Sequence, residues 1–298
     1  MASELDRINR SVWKSPRVLG IFARREGFID HGEELVIERA GREMRGQPIL
    51  DIGIGAGRTV PLLRAFSSDY VGIDYLDEVV RLARSRHPGV RIDRADARDL
   101  SRFADDTFAL VVFSFNGIDG VAHADRGSVL SEMHRVLRPG GLLAYSTHNL
   151  EYRSAGRRPW DRDWRRVIAE PGRAISYAVR VPRKVRSYRR LRGLNEYGDG
   201  WASLVAPAYD FGVVWHHITL AASLRELRAA GFTSTVEVYG ESSYITRATT
   251  HVLGHAAFDP APTTSDSRWL YLLARKPTSP ASDSPGGPRH SASGPGPA

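Results

Sequence analysis

Apolar runs of five or six residues recur with helical stretches between them over residues 46–149: Pro48 to Ile52, Tyr70 to Asp74, Val90 to Arg94, Phe108 to Phe113 and Leu142 to Ser146. Asp77 to Arg86 and Ser128 to Leu137 carry apolar residues at helical spacing, and Pro139-Gly140-Gly141 is placed to stop the second. This alternation predicts an α/β fold, doubly wound, with a mostly parallel sheet covered by helices on both faces. A helix is expected over Leu220 to Ala230, stopped by Gly231, then strands at Thr233 to Tyr239 and Arg268 to Ala274. Two late strands without a helix between them predict an antiparallel last strand, which makes seven strands in all.

The flanks read differently. Before the first strand, Val12, Trp13, Val18, Leu19, Ile21, Phe22 and Phe28, then Glu34 to Ala40, predict two or three helices. These either pack on the sheet or form a lid with Trp13, Phe22 and Phe28 as its aromatic walls. Residues 150–215 break the alternation, being rich in Arg, Pro and aromatics, and are expected to be an inserted cap between core segments 46–149 and 216–276. From 277 to 298 Pro, Ser, Gly and Ala dominate, which predicts a disordered tail.

Composition narrows the chemistry. The 298 residues include no cysteine, so disulfides, thiolate metal sites and cysteine nucleophiles are excluded. No residue pattern signals a metal site. The net charge of +8 is concentrated between Glu151 and Arg192, where thirteen Arg and one Lys face two Glu and two Asp. Any nucleic-acid reading must rest on that segment. The apolar runs fall far short of the roughly 18 residues of a membrane helix. The charged start lacks the apolar stretch of a signal peptide, and a cytoplasmic protein is expected.

The stretch Ile49-Leu50-Asp51-Ile52-Gly53-Ile54-Gly55-Ala56-Gly57 reads as a strand and a tight turn before a helix. Glycines there allow positive φ and close approach of a nucleotide-like ligand. A dinucleotide fingerprint needs a third glycine three places after the second, but that position holds Arg58. Three further stretches complete a pattern: Val71-Gly72-Ile73-Asp74, Ala95-Asp96-Ala97 and Arg138-Pro139-Gly140-Gly141. From Ile49 to about Phe232 the sequence resembles a class I S-adenosylmethionine-dependent methyltransferase. The resemblance implies a Rossmann-like sheet and S-adenosylmethionine as cofactor, with S-adenosylhomocysteine as product. It implies that Asp74 accepts the ribose hydroxyls, with Tyr75 beside it, and that Asp96 and Ala97 meet the adenine. Asp51 would orient the loop and attract the methionine ammonium, Gly53, Gly55 and Gly57 would let the backbone pass the methionine portion, and Ser114 would complete the cofactor set.

Methyl transfer from a sulfonium needs alignment, and a base where the acceptor loses a proton. The candidate catalytic residues are the adjacent His216 and His217, because imidazole titrates near neutrality, and Asp119. Consecutive residues normally face opposite ways, so both histidines are equally readable as structural. Asn116 follows the fourth strand, His148 ends the fifth, and Tyr209 and Trp215 in the insertion offer rings to an aromatic acceptor; these four are the candidate substrate-binding residues.

Absences point the same way. Phe115-Asn116-Gly117-Ile118 stands where amino-methylating DNA enzymes carry Asn/Asp-Pro-Pro-aromatic, and the paired-glutamate loop of protein arginine methyltransferases is missing. The expected acceptor is a small, aromatic metabolite of natural-product type, methylated at O, N or an electron-rich carbon, by a monomer or homodimer. Two other classes compete: an RNA methyltransferase stacking bases on Trp160, Trp164, Tyr177 and Tyr188 of the basic segment, and a nicotinamide-dependent oxidoreductase or non-catalytic cofactor binder.

Overall fold

The computed structural model describes residues 4–24, 29–161, 171–240, 249–252 and 267–278. Helices α1 (Glu4–Trp13), α2 (Pro16–Arg24) and α3 (His31–Glu43) precede β1 (Ile49–Ile52). Then come α4 (Val60–Arg64), β2 (Tyr70–Asp74), α5 (Asp77–Arg86), β3 (Arg91–Arg94), β4 (Phe108–Phe113), α6 (His123–Val136) and β5 (Leu137–Asn149). After them lie α7 (Pro171–Leu191), β6 (Glu196–Gly198), β7 (Trp201–Ala206), β8 (Val213–Ile218), α8 (Leu220–Ala229), β9 (Thr235–Tyr239), β10 (Thr249–Val252) and β11 (Trp269–Arg275).

The sheet runs β10-β9-β11-β5-β4-β1-β2-β3. Its centre is parallel, and β11 runs antiparallel between β5 and β9. The seven strands expected from the apolar runs form the body β9 to β3; among the described residues, β10 and β6 to β8 extend it. Strand order reverses between β1 and β4, which opens the crevice at the strand carboxyl ends where ligands of such sheets bind.

The central strands β1, β2 and β4 are buried along their whole length, because both faces are covered. Along β4, Phe108, Val111 and Phe113 join one core with Val129, Leu130 and Met133 of α6 and Leu224 and Leu227 of α8. Leu110 and Val112 join the other, with Val36, Ile37 and Ala40 of α3.

Strand β5 is longer than its apolar run predicts, and its last residues pass beyond β4 to pair in parallel with β8, His148 opposite His217 and Asn149 opposite Ile218. The segment expected as a separate cap therefore returns into the sheet as the β7–β8 hairpin, and the border drawn at residue 215 falls inside β8. Helix α7 buries Tyr188 and Leu191 against Val205, Phe211 and Val214 and exposes Arg183, Arg186, Arg189 and Arg190. Tyr188 is thus packed, edge-on to Trp160 and Phe211, and is not available to stack a base. Trp164, Phe28, the side chains of Phe22 and Tyr177, and the tail from 279 lie outside the described residues. Among those described, no helix is long and apolar enough to cross a membrane.

Helix α1 is fastened to the hairpin by Asn9. Its fully buried carboxamide accepts from Val214 N at 3.1 Å and donates to Val214 O at 2.9 Å, so it satisfies backbone groups as a neighbouring strand would.

Candidate active site

A cavity of about 830 Å³ opens over the carboxyl ends of β1, β2 and β4, within the usual range for small-ligand sites. One half is built by short turns. The loop after β1 holds Gly53, Gly55 and Gly57 at positive φ, and a Cβ at Gly55 would meet nothing within 4 Å, so the backbone there is open to a ligand. Asp74 ends β2 and lines the cavity; its carboxylate accepts from Leu76 N at 3.1 Å and Gly55 N at 3.3 Å. Burial pushes its pKa up to about 6 although those backbone donors oppose the rise. Tyr75 and Ala97 line the same half, and Ser114 accepts from Arg58 at 3.3 Å.

Two acids differ from expectation. Asp51 does not line the cavity: its Oδ2 accepts from Thr59 Oγ1 at 2.5 Å and Tyr70 Oη at 2.8 Å beneath the loop. Its Oδ1 is buried without a hydrogen-bond partner among the described residues, and burial lifts the carboxyl to about 6. Asp96 lines the cavity, but Arg98 grips both oxygens, Nε to Oδ1 at 3.0 Å and Nη2 to Oδ2 at 2.7 Å. Burial alone would raise its pKa; the Arg98 bonds outweigh it and hold the group below the usual carboxylate range.

Arg58, which argued against a dinucleotide, is itself neutralised. It makes two bonds of 2.7 and 2.6 Å to buried Glu33 of α3 and lies over the Phe115 ring at 4.8 Å.

The other half is assembled from distant segments: Trp13 and Arg17 from the first helices, Tyr152 after β5, Tyr209 and Trp215 from the hairpin, and Trp269 from β11. Trp13 approaches so closely that a Cβ on Gly120 would lie 2.3 Å from its ring. Asn116 also lines the cavity, in a turn where Phe115 and Asn116 are both left-handed, and its backbone N–H donates to Ser146 Oγ at 2.8 Å. Tyr209, Asp210 and Phe211 form a second left-handed run, in which Asp210 accepts from Arg17 at 2.8 Å. Runs of this kind in non-glycine residues concentrate at functional sites.

The histidines separate by role. On strand β8 they point oppositely: His217 lines the cavity, and His216 does not. His217 Nδ1 lies 3.1 Å from the Trp215 carbonyl, and burial with the neighbouring His148 lowers its pKa to about 4, so it stays neutral. His148 lines the cavity and stacks on Trp215 at 4.6 Å between ring centroids.

The candidate aspartate is bound to His148. Asp119 is completely buried and off the cavity wall. Its Oδ2 accepts from His148 Nδ1 and from His148 N, each at 2.7 Å. Its Oδ1 accepts from Thr147 Oγ1 at 2.6 Å and Arg126 Nη1 at 3.1 Å. Asp119 therefore holds His148 in place and does not itself reach the cavity. Fully buried Arg126, which no motif signals, reaches Glu226 of α8 with its other edge at 3.1 Å.

Comparison with known proteins points to methyltransferases. Residues 49–141 match the family model described as a methyltransferase domain. A relative from Mycolicibacterium smegmatis, described as a probable S-adenosylmethionine-dependent methyltransferase, is 32% identical over 132 residues, 44% of this chain and 50% of that protein. The chain spans about half the length of the curated relatives it matches. The crystal structure of an S-adenosylmethionine-dependent methyltransferase from Mesorhizobium loti matches at TM-score 0.51 and 21% identity, over 81% of this chain and 98% of that one. A Burkholderia thailandensis 1,6-didemethyltoxoflavin-N1-methyltransferase, solved with 1,6-didemethyltoxoflavin and S-adenosylhomocysteine, matches at TM-score 0.52 and 16% identity, over 93% and 92%. At such identities the two structures speak for the fold.

Proposed function

We propose that the chain, whose residues 49–141 match the methyltransferase-domain model and which resembles probable S-adenosylmethionine-dependent methyltransferases over about half their length, methylates a small aromatic acceptor, with His148 as general base. The observation that carries the proposal is the Asp119–His148 pair at the wall of a ring-lined cavity.

The local chemistry fits the cofactor. Asp74 offers carboxylate oxygens suited to two ribose hydroxyls. Asp51, fully buried beneath a loop whose Gly55 is open, would act on the ammonium end through water and not by direct contact; its Oδ1 has no hydrogen-bond partner among the described residues. Asp96 and Ala97 would meet the adenine, Asp96 in competition with Arg98. When bound, the sulfonium supplies an activated methyl group. The chain's own task is to hold the acceptor and take its proton.

His148 suits the second task because its carboxylate partner fixes the tautomer. Nδ1–H donates to Asp119, which leaves Nε2 as the basic atom, with no protein partner among the described residues. An acceptor O–H or N–H gives its proton to Nε2, and Asp119 stabilises the imidazolium that forms. His217 lacks a carboxylate partner and is the weaker base.

For the acceptor, Trp13, Tyr152, Tyr209, Trp215 and Trp269 supply faces and edges to a planar ring. The test is to incubate the protein with S-adenosylmethionine and a panel of phenols, aromatic amines and indoles, alongside aliphatic acids and RNA, and read mass gain of one methyl group. Transfer to aromatic members supports the reading. Transfer confined to RNA or aliphatic acids overturns it.

A further inference from the structure

On the other face of β8, three residues far apart in sequence converge. His216 presents Nε2 to His123 Nδ1, at the start of α6, across 3.1 Å. Glu226 of α8 brings Oε1 to 3.9 Å from the same Nδ1. One donor atom from each of the three lies within 4.8 Å of the others. Two ring nitrogens facing at this distance are satisfied by a shared proton or by a common cation. Two nitrogens bound to one tetrahedral zinc ion stand about 3.3 Å apart, given zinc–nitrogen bonds of about 2.0–2.1 Å.

We propose that His123, His216 and Glu226 form a site for one divalent transition-metal ion of the zinc and cobalt class, outside the cavity. Two imidazoles and a carboxylate are a donor set that such ions take, with water in the remaining position. The ion has a way in, since His123 and Glu226 are partly exposed while His216 is buried.

Further observations agree. Metal binding requires neutral imidazole, and burial lowers the pKa of both rings, His216 most strongly. One feature works against the ion: binding through Nε2 leaves the His216 Nδ1–H buried without an acceptor among the described residues, where a metal-bound imidazole normally has one. Trp201 stacks on His123 at 3.7 Å between ring centroids and holds that ring in place. Arg126 works against the ion: it grips Glu226 through Nε and Nη2, which uses part of the carboxylate's capacity and sets a fixed positive charge nearby. Micromolar rather than nanomolar affinity is the expected result. An ion there would tie β8 to the ends of α6 and α8, three elements joined at this point by side chains alone.

The test uses tag-free full-length chain treated with EDTA, and needs neither acceptor nor cofactor, so it stands or falls apart from the methylation reading. One equivalent of Co²⁺ should give the visible bands of a low-coordinate ion, and Zn²⁺ should displace it and raise the melting temperature. His123→Phe keeps a ring against Trp201 but removes the nitrogen. It should abolish the bands and weaken Zn²⁺ at least about tenfold, the loss that even an outer-shell change brings. Glu226→Gln should act in the same direction, and His31→Ala, at the exposed His31–Glu34 pair, should change nothing. Absence of stoichiometric binding, or binding that survives both site variants, overturns the proposal and leaves a shared proton between the rings.

Discussion

The two halves of the cavity are made in different ways. On the β1–β2 side the cavity is lined by backbone and by carboxylates lying at or just past strand ends, and burial holds Asp74, and Asp51 beneath the loop, near a pKa of 6. On the β5–β8 side the cavity is lined by rings delivered by four separate segments, with one imidazole fixed by a buried carboxylate. The first half can recognise a fixed, polar molecule. The second can exclude water and accept flat molecules of varied outline, with chemistry localised at one nitrogen.

This division predicts that damage to one half spares the other. His148→Gln keeps a polar side chain but removes the base, and should lower turnover by about 10²–10⁴-fold. Calorimetry should find cofactor affinity unchanged; near-wild-type turnover would move the base elsewhere. Asp74→Asn should do the reverse. Loss of bonds to a charged acceptor is worth about 1.5–3 kcal/mol, roughly a 10- to 150-fold rise in cofactor Kd. Saturating cofactor should then restore most of the turnover.

Acidity tests the first half. Below about pH 6, Asp74 and Asp51 take up protons and lose charge as acceptors. Cofactor Kd should be flat above pH 7 and rise toward acid by up to about tenfold per unit for each carboxylate involved. Tighter binding in acid would mean that neither carboxylate acts in its ionised form. The smallest effect is expected at Trp215. Trp215→Leu removes ring stacking worth about 0.5–1.5 kcal/mol and should raise acceptor KM roughly 2- to 12-fold, with cofactor Kd unmoved.

How far each half could be read from the sequence follows from how it is made. Gly55, Asp74 and Asp96 sit beside their own strands, so local pattern locates them, and the seven body strands emerge within a few residues for the same reason. What local pattern cannot show is engagement by remote residues: Arg98 on Asp96, or Glu33 on Arg58. Asp119 and His148 were both recognisable as candidates, but their pairing depends on β5 running past the end of β4 beside the turn at 117–120. The placement of His216 and His217 had a signal. Trp201 to Ala206 and Val213 to Ile218 are strand-length runs around Pro207-Ala208-Tyr209-Asp210-Phe211-Gly212, whose Pro, Asp and Gly are turn residues. Read so, the two histidines fall on opposite faces at once. Arg126 left no signal, since a lone arginine on a helix ordinarily faces water.

That arginine bears on how the protein can change over generations. Asp119 and Arg126 are fully buried charges joined to partly exposed Glu226, and removing Asp119 or Arg126 strands its buried partner at a cost of about 3–5 kcal/mol. A loss of that size consumes much of an ordinary domain's stability. Rings on the wall carry no such debt, and each can be exchanged singly. New acceptors are thus open to this scaffold through drift at Trp215, Tyr209 or Trp269, while the charged floor beneath His148 can be altered only by several substitutions together.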